Sequence, residues 1–252
     1  MPASRCINID LIDTWLPLYE SFFADLAPPE VWARLLDPDS YSSADANIEN
    51  LARFLAPHSR NSVNALNERI EIFFRSNFTH VTFYHACRIT NPIDYERDGV
   101  RCADISEQNR RAEVLWGKSD ALMRAISSVR SQGYSRHNHG RVGLWFSRDG
   151  AMRYGNGYTG GGSEYLRVVA NHLSPEQKAL LFTQGRPALI RCMLPLGEVD
   201  DSNIRSYSTL PLRWRLTWRD PEAPPGFYAL GWAIMCERPI PADQIAIEYL
   251  DS

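Results

Sequence analysis

In the stretch VTFYHACRI, Val81–Ile89, a histidine, a cysteine and an arginine sit inside an apolar run that reads as a buried strand. His85 and Cys87 share one strand face with Phe83, while Tyr84 and Ala86 take the other. Imidazole is the side chain suited to bind a sugar hydroxyl or to move a proton near neutral pH. Residues i and i+2 of a strand stand roughly 6–7 Å apart, so His85 and Cys87 do not pair as base and nucleophile. Arg88 is a candidate partner for a ligand phosphate, or a cation at a strand end. Further on, GLWFSRDGAMRYGNGY carries Trp145 on a strand and Tyr154 and Tyr158 on a following loop. Their flat faces are suited to stack on a cationic ring. Glu164 opens GGGSEYLRVVANHL, where Ser163 reads as a helix N-cap and Leu166, Val169, Ala170 and Leu173 form one apolar face. Glu164, and Glu237 as a second candidate, are the carboxylates that could offset developing positive charge in a site. The helix dipole alone also favours an acid in a first turn.

Other chemistries lack their residues. There is no G-x-x-x-x-G-K-[ST] and no G-x-G-x-x-G in a dinucleotide setting, and YGNGYTGGGSEYL has no phosphate-loop lysine. GGSEY is not the G-x-S-x-G turn of a serine hydrolase. The HNH letters at His137–His139 have no Asp, Glu or Cys at metal spacing nearby, so a solvated loop is expected and no metal. Five scattered cysteines without a C-x-x-C pair suit reduced thiols.

The elements that must hold these groups fall into two regions. LIDTWLPLYESFFADL and NSVNALNERIEIFFRS have helical spacing, joined by a polar connection around Asp37–Asp45, and predict a helical N-terminal region over 1–76. From 77 to 252 short β-like runs dominate: HVTFYHACRI, RVGLWFS, ALIRCMLPL, LRWRLTW, FYALGWAIMC and QIAIEYL. Helices are expected near NRRAEVLWGKSDALMRAISSV and SEYLRVVANHL. The layout is α+β. LRWRLTWR alternates as a strand, its arginines facing solvent or an anionic target such as a nucleic acid. With 44% hydrophobic and 23% charged residues the composition is that of a soluble protein, and no apolar run nears the roughly 18–20 residues of a membrane span. The N-terminus lacks a secretory pattern, so the cytoplasm is expected, and a net charge of −3 disfavours a global polyanion binder.

Taken in order, VTFYHACRI with Gly99–Val100, GLWFS with its tyrosines, and GWAIMCERPIPADQIAIEYL resemble the ADP-ribosyltransferase fold of the diphtheria-toxin and poly(ADP-ribose) polymerase type. The resemblance implies an ADP-ribosyltransferase-like split β-sheet core over 77–252, with NAD as substrate and a macromolecular acceptor, protein or nucleic acid. It implies His85 on the adenosine ribose, Ala86 at the backbone clasp of the nicotinamide amide, Trp145 at the second motif, and Tyr154 or Tyr158 stacking on nicotinamide. Many members are bacterial toxins or effectors, some restrained by an inhibitory partner. The chain departs from the pattern in three places: H-A-C stands for H-G-T, Trp for Tyr, and GWAIMC opens without the family's glutamate. A non-catalytic binding module and an NAD glycohydrolase are the alternatives that these departures keep open.

Overall fold

Among the residues that the computed structural model describes, 5–37, 43–133, 139–217 and 233–250, two compact units form. The first comprises residues up to Thr82 together with the segment from Leu194, and the second runs from Phe83 to Met193 and resumes at Ala233. The division thus falls at Thr82–Phe83 rather than at 76, and 194–217 belongs with the N-terminal helices.

In the first unit, α1 (Ile12–Leu26) buries Trp15, Tyr19, Phe23 and Leu26, a ridge at three-to-four spacing. It is followed by α2 (Pro29–Leu35), α3 (Ala44–Leu55) and α4 (Ser62–Asn77), which buries Leu66, Ile70 and Phe74. The returning segment supplies α12 (Asp201–Ser208) and α13 (Leu210–Thr217). Trp15 meets Trp214 edge-on at 5.5 Å, and the Tyr207 hydroxyl accepts from Ile9 N at 3.2 Å. Leu212–Thr217 of LRWRLTW is therefore helix, not strand, and Trp218 lies outside the described residues. Its alternation does not separate core from solvent, because Arg213 and Arg215 are half-buried beside buried Leu212, Trp214 and Leu216, and Arg213 reaches Asp45 at 2.7 Å. Pro211, lacking an N–H, suits a first helical turn.

The sheet comprises β1 (Cys6–Ile7), β2 (His80–Ile89), β3 (Val142–Trp145), β4 (Arg186–Pro195), β5 (Ala233–Cys236) and β6 (Ile245–Tyr249). Its order is β5-β3-β2-β4-β6, with β1 parallel to the start of β2. The two C-terminal strands thus lie on opposite edges, β5 on β3 and β6 on β4, and do not form a hairpin.

The second unit adds α5 (Pro92–Asp98), α6 (Ile105–Trp116), α7 (Asp120–Ser131), α8 (Arg148–Tyr154), α9 (Asn156–Gly161), α10 (Glu164–Ala170) and α11 (Pro175–Thr183). The expected long helix is split at Gly117, whose φ of 72° closes α6, after which Ser119 caps α7. Leu122, Ile126 and Val129 of α7 pack with Leu166 and Val169 of α10 in the unit's helical core. The mixed helix-and-sheet class agrees with the α+β reading. None of the described helices is long and apolar enough to cross a membrane. The five cysteines are free, with Cys87, Cys192 and Cys236 buried and Cys6 and Cys102 half-buried.

Candidate functional site

One face of the second unit carries a cleft of about 1000 Å³, walled by β2, β3, α5, α6 and the glycine-rich turn before α10. His85, Ala86, Arg88, Trp145, Tyr158 and Glu164 all line it. Tyr154 and Glu237 do not. Tyr154 instead stacks on Trp145, centroids 6.0 Å apart and planes 17° apart, and is about half exposed. Glu237 is ion-paired with Arg141 at 2.7 Å.

β2 sets the histidine. Nδ1 of His85 lies 2.9 Å from Gly143 O on β3. A carbonyl only accepts, so Nδ1 carries the proton and Nε2 of the neutral ring is an acceptor. Burial pulls the His85 pKa below its usual value despite the opposing bond to Gly143, and this net lowering favours the neutral ring at pH 7. One strand step further, burial pushes the Cys87 thiol up to about 12, so it is no nucleophile at neutral pH.

Arg88 is no phosphate contact in this arrangement. Its Nε donates to Gln184 O at 2.6 Å, Nη1 to Thr159 O at 2.9 Å and Gly160 O at 3.2 Å, and Nη2 to Gly185 O at 2.7 Å. Four of the five guanidinium N–H groups hold backbone, tying β2 to the end of α9 and to the turn before β4.

The stretch read as a loop with Tyr154 and Tyr158 is two short helices. Ser147 caps α8, accepting from Gly150 N at 3.0 Å, and Arg153 pairs with Asp149 at 2.8 Å. Its glycines serve close packing: a Cβ on Gly155 would come 2.1 Å from Ala151 O and 2.8 Å from Ala86 Cβ, and one on Gly157 would strike the Arg167 guanidinium. Tyr158 thereby packs against Tyr84, Ala86 and Leu189, and its hydroxyl donates to Glu164 Oε2 at 2.9 Å. Glu164 is the first residue of α10, with Ser163 capping as the sequence predicts.

The opposite wall is α6, where Asp104, Gln108, Arg111 and Leu115 recur at helical spacing along the cleft. Asp104 caps this helix, accepting from Ser106 N at 2.8 Å. Glu107 is held by two bonds from Arg110, at 2.8 and 2.9 Å, which lower its pKa. Arg111 and Gln108 do not stand out in the sequence, although their spacing in DISEQNRRAEVL, Asp104–Leu115, is the signal that marks them. Among the described residues no cluster of three metal-ligating side chains occurs. His137 and Asn138 of the HNH letters lie outside those residues, and His139 is exposed.

No family model matches the sequence, and comparison with curated proteins and with solved structures gives no significant match.

Proposed function

We propose that the second unit binds NAD in this cleft and transfers its ADP-ribose to a macromolecular acceptor, protein or nucleic acid. The observation that carries the reading is a carboxylate held by a phenol, Glu164 by Tyr158 at 2.9 Å, in the same lining as a neutral strand histidine. The cleft volume lies at the upper end of the roughly 300–1,000 Å³ of small-molecule sites.

In this reaction the ribosyl C1′–N bond breaks and its electron pair leaves with nicotinamide, which becomes neutral. The Glu164 carboxylate faces the positive charge left on the ribosyl carbon, an electrostatic task worth on the order of 10²–10³ in rate. His85 Nε2 accepts from a ribose hydroxyl. A nucleophile on the acceptor forms the new bond to C1′ and gives up its proton to solvent or to a carboxylate. Tyr158 supplies the aromatic face, and Trp145 lines the same wall.

The test is incubation with NAD labelled on the adenylate phosphate, alone and with cell extract treated with nuclease or protease, following nicotinamide and label together. Nicotinamide release with label on a nuclease- or protease-sensitive acceptor is expected. Glu164→Gln should lower turnover about 100-fold or more with NAD binding retained, and His85→Ala should abolish turnover while leaving the fold intact. Free ADP-ribose without a labelled acceptor would mark a glycohydrolase. Binding without nicotinamide release would mark a non-catalytic module.

A further inference from the structure

Among the described residues, nine charged side chains line the cleft: Arg88, Asp94, Arg101, Asp104, Glu107, Arg110, Arg111, Arg141 and Glu164. Arg88, Asp104, Glu107, Arg110, Arg141 and Glu164 are engaged as described above. Asp94 is paired with Arg97 at 3.4 Å, and Arg101 faces Asp98 at 3.8 Å. Arg111 is the exception, since among the described residues no carboxylate lies within ion-pair distance of it and no hydrogen bond uses its guanidinium. The nearest acid along the helix face, Glu107, is committed to Arg110.

Arg111 is half-buried, so leaving its charge without a counter-ion is costly. Its field reaches the Glu107 carboxylate, whose hydrogen bonds go to Arg110, and Cys87 on β2 and Tyr95 on α5, which supply no compensating charge because burial raises the pKa of both. One helical turn earlier, Gln108 Oε1 is buried without a hydrogen-bond partner. A free guanidinium fork and an unsatisfied amide thus share one stretch of the cleft wall. Cys87, within the field of Arg111, is one strand step of roughly 7 Å from His85.

We infer that Arg111, with Gln108 beside it, is an anion subsite that takes the diphosphate of a nucleotide ligand. A planar fork matches two phosphate oxygens, and Gln108 is the group left to meet a ribose or phosphate-bound hydroxyl. The assignment deepens the NAD reading above, whose substrate carries a diphosphate between its two ribosides, but it stands on the cleft's own charge pattern.

The test compares ADP with adenosine by calorimetry on the full chain. The wild type is expected to bind ADP about 10- to 100-fold more tightly than adenosine. Arg111→Gln should reduce ADP to the affinity of adenosine and leave adenosine unchanged, whereas Arg101→Gln, at an exposed cation facing Asp98, should leave the preference intact. The wild type provides a measurement that needs no variant: the preference for ADP should shrink as salt rises from about 50 to about 500 mM. Equal affinities in the wild type, no binding of either compound, a salt-independent preference, or an undiminished preference in folded Arg111→Gln would each overturn the subsite. Selectivity for ADP without nicotinamide release from NAD would keep the subsite and reject the transferase; release without selectivity would do the reverse.

Discussion

Burial draws the His85 pKa below its ordinary value, and this makes the histidine a pH-dependent element of stability as well as a candidate ligand contact. With the folded pKa depressed, the unfolded chain takes up the proton first as pH falls. The contribution of neutral His85 is therefore fully present above the unfolded pKa of about 6.5 and is lost as pH drops from there toward the lowered folded value. Thermal unfolding followed from pH 7.5 to 5.5 should show a steeper loss of Tm in the wild type than in His85→Gln; parallel curves would contradict it. His85 was legible in the sequence because a lone imidazole in a β-branched and aromatic run is conspicuous. The fate of Arg88 was not, since its carbonyl partners lie 71 to 97 residues away and a backbone acceptor leaves no mark on sequence. Arg111 was hidden for a related reason, because an unpaired charge is visible only once every neighbouring charge has found its partner.

At the scale of elements, the glycine-rich segment is a packing device. Gly155→Ala would drive a methyl group into the backbone oxygen of Ala151 and into Ala86 on β2, neither of which can swing aside, and should cost about 1–3 kcal/mol. Gly157→Ala meets only the mobile end of Arg167 and should cost less. Denaturant midpoints of the two variants decide this, and equal shifts would show that the segment is loosely held. Regular strands such as HVTFYHACRI and capped helices such as α10 were readable because local pattern and tertiary burial agree in them. Two elements were not. LRWRLTW alternates like a strand, yet its half-buried arginines make the alternation uninformative, and the helical state of Arg148–Gly161 rests on the Ser147 cap and close neighbours that offset five glycines with poor helix propensity.

At the scale of the molecule, the first unit is closed by a segment that follows β4 in the chain. A fragment spanning 77–252 would retain α12 and α13 while losing α1, leaving uncovered the Trp214 edge packed by Trp15 and the Ser208 carbonyl bound by Tyr19. Size-exclusion chromatography should show this fragment self-associating beyond the full chain, and a well-behaved fragment with a sharp unfolding transition would refute that. The thiol inventory has a practical consequence of another kind. Three of the five cysteines are buried, and the two with exposure fall one to each unit, Cys6 in the first and Cys102 in the lining of the cleft. Because burial also raises the Cys102 pKa, alkaline buffer favours its alkylation. With Cys6 changed to serine, a fluorophore introduced by simple maleimide chemistry would report from the lining of the cleft, turning occupancy into an optical signal without any engineered attachment point.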